Sequence, residues 1–417
     1  MAEITPMRPG QYHTSEKGNS YLTVNALGPP DEATGTPSNV WTAVDAETHE
    51  EVFIIKQPSP SDDETKGYPL FTSEMIMHEL FKDCPYIRKQ VDRIPPDAPA
   101  LSRTSSEFGV VGHVGGGEVD PPRLVLEPTE TTLSRVRTER PLSDGEIEIL
   151  MRGVLLGLGE IHKRGLVYAD LKMDNILVNG FRGSVEETAR VFLLEAKLGD
   201  LGIVMPPMYG KVQPISYRAP EVYFKSLVTP AADIWSWGVI YCQLLEAQVE
   251  HDKDGMHDNL HGSTVALAED LVKQALSEEF DLANVEYYQD CNLPKSEFQR
   301  VKNSWADNLL KKGVSRSGVE FLTWVLNPDP ERRPNAAQIL GQTSWVVRSP
   351  AIPKEATEAT KIDTKDLKPP PKSTSYFPAF FGSSQNPSRK SSEGGVSSPP
   401  KTRETGLWNP IQNWLKF

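Results

Sequence analysis

Asp170, Lys172 and Asn175 crowd into six positions of one short segment. In GLVYADLKMDNILV, residues 165–178, they stand between Leu166-Val167 and Ile176-Leu177-Val178. Thirty residues beyond Asp170, KLGDLG sets Asp200 among leucines and glycines. A carboxylate can take a proton from a hydroxyl. Asp and Asn side chains also supply the hard oxygens that magnesium prefers. Taken singly, Asp170 and Asp200 read as two solvated loop carboxylates. What lifts them above that reading is the ordered series of segments around them.

Those residues need elements to position them. VWTAV and EVFIIK, within 40–56, have strand composition and flank an acidic turn. FTSEMIMHELFKD, 71–83, reads as a helix whose apolar face is Phe71, Met75, Leu80 and Phe81. From Asp92 to Pro122 the chain is rich in Pro and Gly and reads as an inserted loop. Residues 143–164 form the clearest helix. Ser143 and Glu146 make a capping box, and Ile147, Leu150, Val154, Leu155, Leu158 and Ile161 recur at helical spacing. Further helices are expected after Pro230, with long polar connections through 247–315. A strand-rich lobe followed by a helical lobe leaves a crevice, a common place for a ligand.

After Asp200 come YRAPEV at 217–222, ADIWSWG at 232–238 and NPDPERRPN at 327–335. With the two segments above, five fragments stand in one order. Over roughly 21–346 the chain resembles the eukaryotic protein kinase catalytic domain, of serine/threonine type. Its DLG and YRAPE spellings are most similar to the cyclin-dependent-like and SR-protein kinase group. The resemblance implies an α+β, bilobal fold with a small β-rich N-lobe and a larger helical C-lobe. It divides the chain into an N-terminal extension, 1–20, an N-lobe, 21–130, a C-lobe, 131–346, and a disordered tail, 347–417.

It also implies roles and cofactors: ATP and Mg2+. Phosphoryl transfer demands positioning and charge neutralisation more than covalent chemistry. Asp170 matches the catalytic-loop Asp that accepts or orients the substrate hydroxyl proton, and Lys172 the lysine that contacts the transferred phosphate. Asn175 and Asp200 match the magnesium ligands. FIIK at 53–56 is similar to the strand motif whose lysine, here Lys56, holds the α- and β-phosphates. Glu74 is its expected ion-pair partner, with Glu79 on the same helix as the other candidate. Around the base the resemblance implies Val40, Ile54 and Leu177 as apolar cover and Leu126 as gatekeeper. The Glu127 carbonyl and Thr129 amide would face adenine. Glu221 and Arg333 match a buried ion pair, and Asp233 an aspartate that braces the catalytic loop.

The departures are specific. Aligned on Val40, the glycine-rich loop has Ala33, Gly35 and Ser38 at its three glycine positions, so only Gly35 survives; the lesser alternative is that residues 28–38 are simply a surface turn. Tyr168-Ala169 stand where the family has His-Arg, Leu201 replaces the Phe of DFG, and Pro214 replaces a Thr that bonds the catalytic Asp. Arg218 matches a substrate-facing arginine. About a dozen residues are inserted between Asn179 and Lys197.

Composition sets the outer bounds. The 417 residues carry a formal charge of −13, which argues against a nucleic-acid-binding protein. The charge is uneven, about +5 in 348–417 and −18 before it. That tail is rich in Pro and Ser and poor in core formers, hence the expectation of disorder. Its end, 407–417, gathers Trp408, Ile411, Trp414 and Leu415, a candidate docking element for a partner. Cys84, Cys242 and Cys291 are too widely spaced for a metal cluster or disulfide framework, which suits a reducing compartment. No apolar run reaches the length of a membrane span and the N-terminus lacks a secretory pattern. The expectation is an intracellular kinase, cytoplasmic and/or nuclear, acting on Ser/Thr hydroxyls of protein substrates. Two other readings stay open: a pseudokinase scaffold, and a small-molecule phosphotransferase.

Overall fold

Alternation of side chains across strands decides the architecture of the first third of the chain. The computed structural model describes residues 6–28, 38–59, 61–62, 67–96, 120–182, 193–251, 255–258, 260, 262–294 and 304–342. Strands β1 (Tyr12–Thr14), β2 (Ser20–Ala26), β3 (Val40–Asp45) and β4 (Val52–Lys56) follow in order. Helix α1 (Pro69–Leu80) then precedes β5 (Gln90–Ile94) and β6 (Arg123–Leu126). The sheet order is β1-β2-β3-β4-β6-β5, every neighbouring pair antiparallel. Successive residues face opposite sides. Trp41, Ala43, Ile55 and Val125 therefore join Met7, Tyr21 and Ile94 on one side. Ile54, Leu124 and Leu126 join Tyr68 and Phe71 on the other, where α1 packs. Both faces are apolar, so the sheet is covered on both, each buried Ile or Leu contributing about 1.5–3 kcal/mol.

Asp92, Arg93 and Ile94 were expected in a loop but belong to β5. Asp92 is buried, and its carboxylate accepts from Tyr21 Oη at 3.1 Å and Asn19 Nδ2 at 2.9 Å. An internal Asp reads as a turn signal in sequence; here the Tyr21 hydroxyl, on β2, and the Asn19 amide, just before it, satisfy it. The rest of that stretch, 97–119, lies outside the described residues.

Beyond β6 come β7 (Thr131–Thr132), α2 (Leu133–Glu139) and α3 (Asp144–Lys163). The α3 capping box forms as the spacing implies: the Ser143 N–H donates to Glu146 Oε2 at 2.9 Å, and Ser143 Oγ accepts from the Glu146 N–H. Arg140 holds the Glu146 carboxylate from outside. Strands β8 (Ile176–Asn179) and β9 (Glu195–Leu198) follow, and β9 lies across α3. Two glycines permit that approach. A Cβ on Gly153 would stand 2.9 Å from the Ala196 carbonyl oxygen, and one on Gly157 2.9 Å from Leu198 Cδ1. The long helix thus fixes β9 and the segment that follows it.

The remaining elements are β10 (Met208–Tyr209), α4 (Pro220–Lys225), β11 (Leu227–Val228), α5 (Pro230–Val249), α6 (Val265–Glu279), α7 (Ser304–Lys312), α8 (Arg316–Val325) and α9 (Ala336–Leu340). Helix α5 is central: Ile234, Trp235, Trp237, Val239 and Ile240 are all buried, and Trp237 Nε1 donates to the Met151 carbonyl of α3 at 2.9 Å. The expectation of polar connections across 247–315 is corrected by α6 and α7. Val272 and Leu276 recur four apart on α6 and are buried, and Trp305 and Leu309 do the same on α7. Charged residues on their outer faces dilute that pattern in the sequence.

Arg333 closes the C-lobe. Its guanidinium makes two parallel hydrogen bonds to Glu221, Nη1 to Oε1 at 2.7 Å and Nη2 to Oε2 at 2.9 Å, with both side chains fully buried. Its Nε donates to the Asn327 carbonyl, and the guanidinium lies 5.0 Å from the Trp235 ring centre. Breaking one side of such a pair leaves an uncompensated buried charge. Arg333→Met is expected to destabilise the fold by about 3–5 kcal/mol, and the double change Glu221→Gln/Arg333→Met by less. Urea unfolding followed by tryptophan fluorescence measures both; equal losses for single and double variants would contradict the account.

Candidate active site

The segment after α3 is held by its backbone. Val167 exchanges two hydrogen bonds with Met205, at 2.8 and 3.0 Å. The fully buried Asp233 carboxylate of α5 then accepts from the Tyr168 N–H at 2.7 Å and the Ala169 N–H at 2.9 Å. His162 Nε2 meets the same carboxylate at 2.9 Å. Ala169 takes a left-handed backbone, φ 65°, which costs a residue with a Cβ about 1 kcal/mol or more. The two amide bonds to Asp233 hold it there. Tyr168 is buried, and its hydroxyl donates to the Gly199 carbonyl.

This turn presents Asp170. Asn175 Nδ2 donates to Asp170 Oδ2 at 2.7 Å and to the Asp170 carbonyl at 2.9 Å, and Lys172 Nζ donates to Oδ2 at 3.1 Å. Burial raises the Asp170 pKa above the ordinary carboxylate value; Lys172 opposes the rise and Asp200 adds to it. With its amide nitrogen committed to Asp170, Asn175 retains its side-chain oxygen for a cation.

The second strip crosses from the sheet. Lys56 Nζ, on β4, donates to Glu74 Oε1 of α1 at 2.7 Å and to Asp200 Oδ1 at 3.1 Å. Glu79 instead points outward and meets Lys82 and Arg93. Asp200 follows β9 with φ 38°, and Oδ1 also accepts from the Gly202 N–H at 3.1 Å. The Gly199 N–H donates to the Asn175 carbonyl at 2.8 Å, tying the two candidate metal ligands together through the backbone. Partial loss of solvent around the Asp200 carboxylate would by itself raise its pKa; Lys56 and the Gly202 amide outweigh it and bring it to about 2. Burial alone would lower the Lys56 pKa; Asp200 and Glu74 outweigh it, so the amine stays charged. Glu74 goes the other way: burial outweighs Lys56 and pushes its carboxyl up to about 7.

The apolar residues named for the base lie on this side of the sheet. Ile54 is paired across the strands with Leu126, and both share one cluster with Leu124 and Phe71, against which Val40 packs. Leu177, on β8, lies beside Gly199, where a Cβ would be 3.1 Å from Leu177 Cδ1. Thr129 is half-buried, and its N–H and carbonyl make no hydrogen bond among the described residues. Glu127 is engaged through both its carbonyl and its carboxylate. Its carbonyl oxygen accepts from Arg88 Nε at 3.0 Å, and its carboxylate accepts from Lys197 Nζ at 2.9 and 3.0 Å. Gly35 and Ala33 lie outside the described residues, as does 407–417; Ser38 is described, its Oγ donating to the Leu27 carbonyl.

Sequence reading missed Arg88 and Lys197, which stand among other polar residues in YIRKQ and EAKL and carry no signal beyond their charge. It also turned Arg218 the wrong way. The guanidinium is buried, donates to the Val212 and Gln213 carbonyls and pairs with Glu269 of α6 at 2.6 Å. Without α6 in view, no partner for it could be named.

A β-rich lobe and a helical lobe, joined by a Glu-Lys-Asp charge relay and carrying an Asp-Lys-Asn loop, define a bilobal protein-kinase-like fold. The protein kinase domain family matches residues 33–346, and the chain belongs to that family. It is similar to the mitogen-activated protein kinase hog-1 of Neurospora crassa, 31% identical over 223 residues, which cover 52% of this chain and 56% of the relative. The Hog1 kinases of Trichoderma harzianum, at 30%, and Alternaria brassicicola, at 31%, match over the same shares. The chain thus spans about half the length of the curated relatives it matches.

The Glu74 environment has a pH signature. Its folded pKa, about 7, lies above its ordinary 4.5, so the folded state binds more protons between those values. The group's contribution to stability therefore falls as pH rises through that window. Glu74→Gln removes this component. On acidification from pH 7 to 5 the wild type is expected to gain roughly 2 kcal/mol relative to the variant, read from urea midpoints at each pH. A difference that is flat with pH would show that Glu74 stays ionised.

Proposed function

We propose that the chain is an ATP- and Mg2+-dependent serine/threonine protein kinase in which Asp170 receives the proton of the substrate hydroxyl. The observation that carries the reading is the convergence of Glu74, Lys56 and Asp200 in one hydrogen-bonded row, close enough to Asp170 for the Asp200 charge to act on it. In this reading Lys56 meets the α- and β-phosphates and Lys172 the transferred phosphate. Val40, Ile54, Leu126, Glu127, Thr129 and Leu177 surround the base, and Gly35 is assigned to the phosphates by its place in the sequence alone. The donor set suits magnesium: the exposed Asp200 carboxylate, held ionised, and the Asn175 side-chain oxygen are both hard ligands. Magnesium, when bound, neutralises phosphate charge. Asp170, its pKa raised but held near Lys172, orients the hydroxyl and takes its proton.

Substrates in this reading are proteins with Ser or Thr acceptors, and 407–417 is a docking element. The site of action is intracellular, in cytoplasm and/or nucleus. Among the described residues no helix is long and apolar enough to cross a membrane. A pseudokinase is the second reading, favoured by the engagement of the Glu127 carbonyl with Arg88. Thermal-shift titration separates the two only in part; transfer decides. Mg-ATP at 100 times its dissociation constant should stabilise the fold by about 2.7 kcal/mol, and phosphate transfer to a peptide library should be lost in Asp200→Asn. Binding without transfer would favour the scaffold reading.

Activity should not need phosphate on the activation segment, 200–221. Ala169 stands where the family carries an arginine, is buried, and brings no cation that a phosphate would neutralise. Phosphatase treatment, with Tyr209, Ser216 and Tyr217 checked by mass spectrometry, should leave the transfer rate within about twofold, well under 1 kcal/mol of barrier. A large loss restored only by phosphate on one of the three would overturn this.

A further inference from the structure

Arg88 stands at the inner wall of the cleft. Its N–H donates to the Leu198 carbonyl at 2.8 Å, while Ile87 pairs with Leu198, so the end of β9 fixes its position. Its side chain turns toward the connection after β6, where Nε donates to the Glu127 carbonyl at 3.0 Å. The guanidinium lies in the field of three carboxylates, Glu127, Glu74 and Asp200. Burial lowers its pKa to about 10, so it carries a full positive charge at neutral pH. The next position after Leu198 is Gly199, which adds no side chain to that wall.

We propose that Arg88 sets the base selectivity of the cleft, disfavouring the 6-amino group of adenine and admitting 6-oxo purines, guanine and hypoxanthine, at least as well. This rests on the reading of the cleft as a purine nucleoside triphosphate site. Adenine offers a 6-amino donor beside an N1 acceptor, so it requires an acceptor and then a donor from the chain. The Glu127 carbonyl and the Thr129 N–H would supply them. One of the two lone pairs of the first is taken by Arg88, and the guanidinium brings four further N–H donors to the same corner, which tips it from acceptor toward donor. A 6-amino group there faces donors, and a buried donor without an acceptor weakens binding.

A 6-oxo purine inverts the pattern, presenting an oxygen acceptor beside an N1–H donor. Its oxygen can accept from the Thr129 N–H or the Arg88 guanidinium. Its N1–H can donate to the Thr129 carbonyl. Neither Thr129 group makes a hydrogen bond among the described residues. Sites that read a base edge by hydrogen bonding discriminate strongly when one group is reversed.

The test measures dissociation constants by calorimetry on the full chain with magnesium and ATP, GTP, ITP or inorganic tripolyphosphate. Wild type is compared with Arg88→Val and Arg88→Leu. Wild type should bind GTP and ITP as tightly as ATP or more so. Both variants should tighten ATP by about tenfold, the scale of one buried polar group gaining its partner, and so reverse the preference. A wild-type preference for ATP of about tenfold or more, unchanged in the variants, would overturn the proposal. So would a parallel weakening of all three nucleotides and tripolyphosphate in the variants, which would put Arg88 at the phosphates. Near-UV circular dichroism checks folding; if neither variant folds, the wild-type ratio decides alone. Absence of binding by any purine triphosphate in wild type and folded variants would overturn the underlying nucleotide reading as well.

Discussion

The Asp233 carboxylate is the fixed point of this molecule. It is a fully buried charge on the central helix, and such a group is tolerable only if hydrogen-bonded. The two backbone amides of Tyr168 and Ala169 and the His162 ring supply those bonds. The exchange is mutual. The carboxylate oxygens are satisfied by donors, and Ala169 is kept in a conformation it would otherwise leave. Asp170 follows directly, so its direction is set by a helix more than sixty residues away in sequence. The same helix is anchored to α3 through Trp237 and Met151, and α3 carries β9 on its glycine face. Asp170 and Asp200 are thereby referred to one scaffold.

The cross-lobe row works differently, through charge. Glu74, Lys56 and Asp200 alternate in sign, and their exposures differ sharply: the Glu74 side chain is 4% exposed and Asp200 45%. Lys56 can balance one carboxylate, not two. Burial raises the pKa of Glu74, while Asp200 keeps its charge at the open end. His78, one turn along α1 from Glu74, is neutral because burial and the positive field of Lys56 and Arg88 lower its pKa to about 3. It therefore adds nothing to the balance. The negative charge left over lies where a hard cation would be taken up, and the positive charge of Lys56 faces the same opening. A chain with these two charges exchanged would have neither property.

Legibility in the sequence followed the range of the interaction. The α3 helix and its capping box are local, and Ser143, Glu146 and the apolar stripe were readable as written. Motif order was readable because each fragment is short and its chemistry demanding. The choice between Glu74 and Glu79 needed the register of α1 against β4, which is tertiary. Asp92 looked like a turn because its partners, Tyr21 and Asn19, are some seventy residues away. Helices α6 and α7 were lost because their apolar stripes are narrow among charges. That loss concealed Glu269, and with it the inward turn of Arg218. Arg88 was invisible for the same reason: next to Lys89 it reads as one of two surface cations, and it has meaning only once the Glu127 carbonyl is seen beside it.

The inward turn of Arg218 bears on how the activation segment keeps its shape. Gln213 sits at φ 71°, a strained position for a side-chain-bearing residue. Its carbonyl is taken by Arg218 Nε and Nη2, at 3.1 and 2.9 Å, and its side-chain amide bridges the Ala232 carbonyl, Ser236 Oγ and the Ala219 N–H. Arg218 in turn is balanced by Glu269 and lies 4.9 Å from the Tyr223 ring centre. Every one of these groups is uncharged or paired within the C-lobe. An arginine beside Asp170 would have brought a cation needing an external anion; with Ala169 in its place, the cation that orders the segment is Arg218, and its anion comes from α6. The order of the loop is thus supplied by the fold itself, through a buried arginine whose counter-charge lies on α6.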